Sequence, residues 1–347
     1  MTLALVASVE VDLFLSQGDK LILIDVRSPS EFEKGHIKDA VNLPLFSDEE
    51  RAAVGLIYKQ QGASRAFNTG LEIVGPKLSN FVSEAQFFAP NKKVAVYCWR
   101  GGLRSQSMGT LLQAAGFKVT LLKGGYKAYR QLLGTFLNKP LPIQILTGPT
   151  GSGKTEVLNA LQSLGHQVVD LENLANHRGS AFGGMESLSQ PSTETFQNAI
   201  FEKIWQFDLN KPIWIEDESI SLGSCYLPNE LFNQMKSAFR WELKIPHNNR
   251  LVNILNDYGD IPEDQLINSV NRIERRMGPE KARLTIEHIK KNEKVQAAEL
   301  LLGYYDKAYS NSRKRGNGEI LEIYDSGNDA HQIALQLIKL HDENARL

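Results

Sequence analysis

Cysteine and net charge are both scarce in this sequence, and each scarcity excludes a class of protein. The 347 residues include only two cysteines, Cys98 and Cys225, which lie far apart. Two distant cysteines argue against a disulfide framework and favour a reducing compartment, so we expect a cytoplasmic protein whose thiol chemistry is catalytic. The formal net charge of −1 excludes a general attraction to polyanions, and a nucleic-acid partner would therefore need a local basic patch.

Long apolar runs are missing as well. No stretch approaches the length that a membrane-spanning helix requires. The apolar N-terminus, MTLALVASVEVDLFL, has no basic residues and carries Glu10 and Asp12, so we interpret it as the start of a domain and not as a secretion signal. A chain of 347 residues exceeds the size at which single cores stop growing, and two domains are therefore expected.

Strand-like and helix-like runs alternate in two separate parts of the chain. The clearest strand-like runs are residues 21–27, 93–99 and 119–125 in the first part and 143–147, 167–171 and 213–218 in the second. This alternation predicts an α/β protein with a helix-covered parallel sheet in each part. LNKPLP, residues 137–142, has two prolines and no periodicity, so we predict domains over 1–138 and 139–347, the second with a helical, charged part over 262–311.

The first candidate site is the stretch YCWRGGLRSQSM at 97–108, which lies between a strand-like and a helix-like run. A thiol becomes nucleophilic where backbone amides, a helix N-terminus and cations stabilise its anion. Two glycines allow consecutive amides to face one point, and two arginines add positive charge. A purely structural cysteine would explain neither feature. The predicted catalytic residues are Cys98, Arg100, Gly101, Gly102 and Arg104.

Two enzyme classes fit this loop. The spacing Cys98-x5-Arg104 also occurs in phosphatases whose thiolate attacks phosphorus. Tyr97, however, stands where such phosphatases commonly carry histidine, and bulky Trp99 leaves less room for a tetrahedral phosphate than for one sulfur or selenium atom. The loop residues therefore favour a carrier of sulfur or selenium and leave a Cys-x5-Arg phosphatase as the alternative.

The upstream stretch IDVRSPSEFEKGHIKDAVNLPL, residues 24–45, together with the cysteine loop resembles the rhodanese domain, a sulfurtransferase module. The residues that carry this resemblance are Asp25, Arg27, Glu31, Gly35, His36, Ile37, Ala40, Asn42 and Pro44. The resemblance covers about residues 10–135 and implies a persulfide or selenopersulfide on Cys98. We interpret Asp25 and Arg27 as a buried ion pair at a strand end, and His36 as a residue that packs in a turn.

The second candidate site is GPTGSGKT at 148–155, a full match to G-x-x-x-x-G-K-[ST] between a strand-like and a helix-like run. Its glycines let the backbone wrap around phosphate oxygens, Lys154 adds a point charge, and Thr155 offers a hydroxyl to Mg²⁺. The motif therefore predicts a diphosphate-binding loop. Its predicted ligand-binding residues are Gly148, Thr150, Gly151, Ser152, Gly153, Lys154 and Thr155.

Acidic residues follow the strand-like run IWIEDES at 213–219, a pattern typical of a strand that holds Mg²⁺. Glu216, Asp217 and Glu218 are all candidates, and we favour Asp217 as the metal ligand beside Thr155. An acidic surface turn is the alternative.

The strand-like run at 167–171 continues into the loop of VVDLENLANHRGSAFGG, residues 168–184. Ligands of open α/β sheets bind outside the carboxyl ends of the strands, so we predict Asp170, His177 and Arg178 as part of the wall around the ligand. A glycine-rich surface loop is the alternative.

Residues 271–291, NRIERRMGPEKARLTIEHIKK, combine helical periodicity with many basic residues. Helical spacing places Arg272, Arg275 and Arg276 on one face, which predicts contacts to RNA phosphates or a lid over the phosphate loop. Trp99 is predicted to stack on an unpaired base. Interspersed glutamates leave a merely solvated helix as the alternative.

The order of these motifs along the whole chain resembles the tRNA 2-selenouridine synthase family. The resemblance implies conversion of 2-thiouridine at the tRNA wobble position to 2-selenouridine through S-geranyl-2-thiouridine. It implies geranyl diphosphate and selenophosphate as co-substrates, Mg²⁺ at the phosphate loop and no tightly bound organic cofactor. The implied partners are the tRNA anticodon loop and an enzyme that supplies selenophosphate.

Other functions stay open on the residues alone. A rhodanese fused to a small-molecule kinase, the Cys-x5-Arg phosphatase and a non-enzymatic, nucleotide-gated RNA-binding protein would each use part of this set of motifs. Cys225 has no predicted role.

Overall fold

The computed structural model describes residues 6–16, 21–177, 189–258, 261–313, 318–324 and 329–344. The chain folds into two compact units, Met1–Phe136 and Leu137–Leu347. Each unit contains a parallel five-stranded sheet with helices, which confirms the predicted α/β class. None of the helices in the described ranges is long and apolar enough to cross a membrane.

Five strands form the sheet of the first unit, in the order β1-β5-β4-β2-β3. The elements are β1 (Ala7–Val9), α1 (Val11–Ser16), β2 (Ile22–Asp25), α2 (Pro29–Glu33), β3 (Val41–Asn42), α3 (Asp48–Gln61), α4 (Ala63–Val74), a 3₁₀ turn (Gly75–Lys77), α5 (Leu78–Phe88), β4 (Lys93–Tyr97), α6 (Leu103–Ala114), β5 (Lys118–Leu122) and α7 (Gly125–Leu137).

Strand β4 is central and buried on both faces, which explains its nearly continuous apolar sequence. Its last residue, Tyr97, pairs with Asp25 at the end of β2, so Cys98 emerges beside that strand end. The run 119–125 ends as a strand at Leu122, because Gly124 and Gly125 adopt positive φ and turn the chain into α7. Three consecutive helices, α3 to α5, separate β3 from β4, where simple alternation had been predicted.

The second unit has the strand order β12-β11-β6-β8-β7. Its elements are β6 (Ile143–Thr147), α8 (Lys154–Ser163), β7 (Gln167–Val169), α9 (Leu171–Leu174), α10 (Thr193–Trp205), β8 (Ile213–Glu216), β9 (Ser221–Leu222), β10 (Cys225–Tyr226), α11 (Asn229–Ser237), β11 (Phe239–Lys244), α12 (His247–Tyr258), α13 (Glu263–Met277), α14 (Pro279–Lys290), α15 (Lys294–Arg313), β12 (Ile320–Tyr324) and α16 (Ala330–Asn344).

The central strand β6 leads directly into the phosphate loop, and its neighbour β8 ends at the acidic run. Strand β11 was not anticipated from its sequence, FRWELK, because two charged residues interrupt the apolar pattern. Both are buried and bonded: Arg240 donates to the carbonyls of Met235, Lys236 and Ala238, and Glu242 accepts from Tyr309. Helices α13 to α15 enclose a small core of their own.

Candidate active sites

Cys98 follows the last residue of β4 and is almost fully buried, with 3% of its surface exposed. Its sulfur lies 3.2 Å from the Ser105 hydroxyl and 3.9 Å from the Gly102 carbonyl oxygen. Ser105 is fully buried in the first turn of α6, whose N-cap is Gly102. The thiol therefore has a specific neighbour, Ser105, that the sequence alone had not singled out.

The Gly124–Gly125 turn supports the cysteine loop from behind. Gly125 has a φ of +60°, and a Cβ there would lie 2.2 Å from the Cys98 carbonyl oxygen and 2.6 Å from the Gly101 nitrogen. The amide of Tyr126 donates to the same carbonyl at 2.9 Å. Gly101 also has a positive φ, +65°. The close backbone approach therefore requires glycine on both sides of the contact.

The arginines of the loop differ in their surroundings. Arg104 Nη1 donates to Glu31 Oε2 at 2.6 Å, so its charge is balanced by a carboxylate of α2. Although partial burial favours the neutral acid, the guanidinium of Arg104 holds the pKa of Glu31 below its usual value. Arg100 and Trp99 are exposed, which leaves both accessible to a ligand.

Beside the loop, the carboxylate of Asp25 accepts from the guanidinium of Arg27, with Nη2 and Oδ2 2.6 Å apart and both side chains buried. Arg27 also donates to the Gly35 carbonyl at 2.7 Å, and its guanidinium lies 3.9 Å from the centroid of the Tyr126 ring. His36 stacks on a neighbouring phenylalanine with ring centroids 3.8 Å apart. These contacts agree with the interpretation of Asp25 and Arg27 as a buried ion pair at a strand end, and of His36 as a residue that packs in a turn.

The phosphate loop has the backbone conformation that its glycines suggest. Gly151 and Gly153 adopt φ values of +76° and +75°, and Gly153 is the N-cap of α8. Lys154 Nζ donates to the Gly148 carbonyl at 2.9 Å, while Thr155 is exposed in the first turn of α8. Ser152 is buried within the loop. The lysine and the helix N-terminus are thus placed to meet an anion.

Helix α12 holds the outer side of this loop through contacts that the sequence did not indicate. Arg250 Nε donates to the Thr150 carbonyl at 3.0 Å, and Asn253 Nδ2 donates to the Gly151 carbonyl at 2.9 Å. The guanidinium of Arg250 is itself paired with Asp306 of α15 at 2.5 Å. These donors bind loop carbonyls and leave the loop's N–H groups uncontacted by α12, although the amide of Ser152 donates to the Pro149 carbonyl at 3.1 Å.

The acidic residues after β8 have separate partners. Glu216 is buried, and its carboxylate accepts a hydrogen bond of 2.7 Å from the backbone amide of Glu172. Burial, together with the charges of Asp170 and Glu172, raises the pKa of Glu216 well above the usual value. Asp217 Oδ2 accepts from the Thr147 hydroxyl at 2.9 Å. Asp170 accepts the amide of Asn173 as the N-cap of α9.

The carboxyl groups of Glu172 and Glu218 interact with each other and with the charge of Lys154. Burial, followed by the charge of Glu218, raises the pKa of Glu172 to about 8, and the two side chains hydrogen-bond to each other. The charge of Lys154 opposes this rise. Glu172 therefore joins the predicted site through tertiary contacts, whereas its position in the sequence resembles that of any helical glutamate.

Mg²⁺ fits the oxygen donors at this end of the sheet. Within the described residues, no group of three Asp, Glu, His or Cys side chains forms a ready-made metal site. Mg²⁺ commonly keeps several waters and takes one or two protein oxygens together with substrate phosphates. The hydroxyl of Thr155 and the carboxylate of Asp217 are suitable donors of that kind.

The remaining predicted residues fall in three places. The backbone amide of His177 donates a hydrogen bond to the Glu172 carbonyl at 2.9 Å. Burial lowers the pKa of the His177 imidazole. Arg178 lies outside the described residues. The basic residues Arg272, Arg275 and Arg276 are exposed on α13, whose opposite face is buried.

Comparisons with known proteins cover both units. Residues 10–132 match the family described as rhodanese-like domain, and residues 141–337 match the tRNA 2-selenouridine synthase AAA domain. A tRNA 2-selenouridine synthase of Marinobacter nauticus is 34% identical over 90% of this chain and 92% of its own length, and one of Sulfurovum sp. is 35% identical over 86% and 90%.

A third relative, a tRNA 2-selenouridine synthase of Nitrosomonas europaea, is 41% identical over 68% of this chain. That match spans 63% of the relative, less than two thirds of its length. The full-length similarity to the other two relatives and the match of residues 141–337 agree with each other. The chain belongs to the tRNA 2-selenouridine synthase family.

Proposed function

We propose that this protein converts 2-thiouridine at the wobble position of tRNA to 2-selenouridine, with S-geranyl-2-thiouridine as the intermediate. Geranyl diphosphate and selenophosphate are the co-substrates, so the protein acts as a geranyltransferase and a selenotransferase. The reaction takes place in the cytoplasm, where the anticodon loop of tRNA and an enzyme that supplies selenophosphate are the partners.

In the first step the carbon–oxygen bond of geranyl diphosphate breaks, a carbon–sulfur bond forms on the base, and diphosphate leaves. The N-terminus of α8 and Lys154 bind the leaving diphosphate, which stabilises its developing charge. Mg²⁺ held by Thr155 and Asp217 would neutralise further charge on the diphosphate. Arg250 and Asn253 keep the loop in its binding shape.

In the second step selenium from selenophosphate bonds to the 2-carbon of the base, and the geranylthio group leaves. Water takes the phosphoryl group, which departs as phosphate. Alkylation favours this exchange because it makes the sulfur a better leaving group. Cys98 positions the selenium, Arg100 offers positive charge at the loop surface, and Trp99 offers a ring on which the base can stack.

One observation carries this proposal: the chain contains both a loop with a buried thiol and a phosphate loop. Each loop lies between a parallel strand and a helix, and the chain matches a family member over nearly its whole length. A small-molecule kinase would use the second loop alone, and a phosphatase would use the first alone. The alkylation and exchange of one tRNA base use both loops.

Mass spectrometry of wobble uridines from cells that depend on this protein tests the proposal. In Cys98→Ser we expect no 2-selenouridine and an accumulation of the geranylated base, whereas Lys154→Ala should contain mainly 2-thiouridine. Cys225→Ser is the matched control and should retain 2-selenouridine, because that cysteine is buried against the Pro191 carbonyl. Normal 2-selenouridine in both site variants, or ATP hydrolysis that needs no tRNA, would contradict the proposal.

A further inference from the structure

The contact between Ser105 and Cys98 stands out because a fully buried hydroxyl lies beside the only thiol of the cysteine loop. Ser105 Oγ is 3.2 Å from Cys98 Sγ and 3.1 Å from the Gly102 carbonyl oxygen. Burying a hydroxyl costs free energy unless it forms hydrogen bonds. An alanine would suit a purely apolar position in the first turn of α6, so this hydroxyl needs a polar explanation.

The chemistry of the two partners of the sulfur differs. A carbonyl oxygen can only accept a hydrogen bond, so the Gly102 carbonyl suits the protonated thiol as donor. A serine hydroxyl both donates and accepts. Of these two partners, only Ser105 can therefore stabilise the sulfur after it has lost its proton.

We propose that Ser105 is a positioning residue that switches its hydrogen bond when Cys98 ionises. In the thiol form its O–H donates to the Gly102 carbonyl at 3.1 Å. When the S–H bond breaks and the proton leaves to water, the O–H turns to the sulfur and donates to the thiolate. No other covalent bond changes. The same hydroxyl then fixes the orientation of the thiolate within the loop.

Two of the arginines near the loop are already paired with carboxylates. Arg104 is paired with Glu31, and Arg27 is paired with Asp25. The other titratable groups on β4, the cysteine loop and α7 are Lys93, Tyr97, Arg100, Tyr126, Lys127, Tyr129 and Arg130. Replacing Ser105 leaves all of these groups in place, so a difference between variants reports on the hydroxyl.

The inference rests on the proposed function in one respect, that Cys98 acts as a thiolate, but its test needs neither tRNA nor selenium. The full-length Cys225→Ser protein has a single thiol, and its rate of alkylation by iodoacetamide is measured against pH. Adding Ser105→Ala should move the midpoint of this profile upward by about one to two pH units, the shift expected when a charged group loses a hydrogen bond. Ser105→Thr should restore the midpoint, and Ser107→Ala, an exposed serine of the same helix, should leave it unchanged.

An unchanged midpoint in Ser105→Ala, or an equal shift in Ser105→Thr, would overturn the inference. Thermal unfolding of each variant shows whether it is folded. Should Ser105→Ala not fold, Ser105→Val and Ser105→Thr give the same comparison, since they have nearly the same shape and differ in the hydroxyl. Failure of the proposed function would appear separately, as normal 2-selenouridine in cells with Cys98→Ser.

Discussion

At the scale of single residues, the cysteine loop depends on a glycine that lies outside the motif. Gly125 packs against the backbone of Cys98 and Gly101, at positive φ. A side chain at this position would collide with backbone atoms, which cannot move aside as a flexible side chain can. Gly102 is different, because a Cβ there would enter open space.

We therefore expect Gly125→Ala to lower the free energy of unfolding. Strain at positive φ alone costs about 1–3 kcal/mol, and the collision with Cys98 adds to it. Urea unfolding followed by circular dichroism measures this change. Gly102→Ala is the matched control and should unfold nearly as the wild type does. Equal stability of the two variants would show that the turn does not support the loop.

A second prediction concerns Glu172, whose folded-state pKa is about 8 against an ordinary value of 4.5. The folded protein therefore binds this proton more tightly than the unfolded chain does. The resulting stabilisation is fully present below about pH 4.5 and is lost as the pH rises through about 8.

Replacement of Glu172 by Gln removes this titration. We expect the decline in the free energy of unfolding between those pH values to become shallower, as measured by urea unfolding at a series of pH values. Glu263→Gln, an exposed change in the first turn of α13, serves as the control and should leave the decline as it is. An unchanged pH dependence in Glu172→Gln would show that this carboxyl is ionised in the folded protein.

At the scale of elements, helix α12 determines the shape of the phosphate loop. Arg250 and Asn253 bind loop carbonyls, and Asp306 of α15 holds Arg250 in place. This support depends on residues about a hundred positions after the motif. The motif was readable from the sequence because its glycines and lysine are consecutive, whereas its support is assembled only by folding.

We predict that Arg250→Ala weakens the binding of inorganic pyrophosphate with Mg²⁺ by about tenfold or more, since a hydrogen bond from a charged group is lost and Asp306 loses its partner. Isothermal titration calorimetry measures this affinity. Arg283→Ala is the matched control, because Arg283 is likewise paired with a carboxylate, that of Glu287, but on the exposed side of α14. Equal affinities of the two variants would contradict a supporting role for α12.

Elements also show where prediction from sequence failed. Strand β11 was overlooked because its buried Arg240 and Glu242 interrupt the apolar pattern. Arg240 donates to nearby carbonyls of the chain, and Glu242 accepts from the distant Tyr309. Helices α3 to α5 were overlooked as an insertion between β3 and β4. Hydrophobic periodicity predicts helices and strands whose buried face is apolar. It predicts an element less well where buried charged side chains depend on hydrogen-bond partners outside that element.

At the scale of the whole molecule, a net charge of −1 hides an uneven distribution. The exposed face of α13 presents Arg272, Arg275 and Arg276, while its buried face packs against α14. A local basic surface can bind phosphates even when the total charge is close to zero, because screening limits the range of distant charges.

If this face binds tRNA, replacing the three arginines by glutamine should weaken binding. The slope of the logarithm of the binding constant against the logarithm of the salt concentration should become shallower by about two to three. Filter binding at several salt concentrations measures both effects. The control replaces three exposed lysines elsewhere in the second unit, Lys211, Lys236 and Lys339. An unchanged slope in the arginine variant would exclude these residues from the interface.

The sequence by itself determined the two candidate loops, their settings between strand and helix, and the family, because these features depend on consecutive residues whose backbone preferences are local. Only the tertiary structure decided which further groups complete the candidate sites. Within the first motif it singled out Ser105 beside the thiol, and from elsewhere in the chain it added the Gly124–Gly125 turn, Arg250 on the phosphate loop, and Glu172 with Glu218 near Lys154. These arrangements depend on how helices pack against a sheet, and packing brings together residues whose separation along the chain carries no signal.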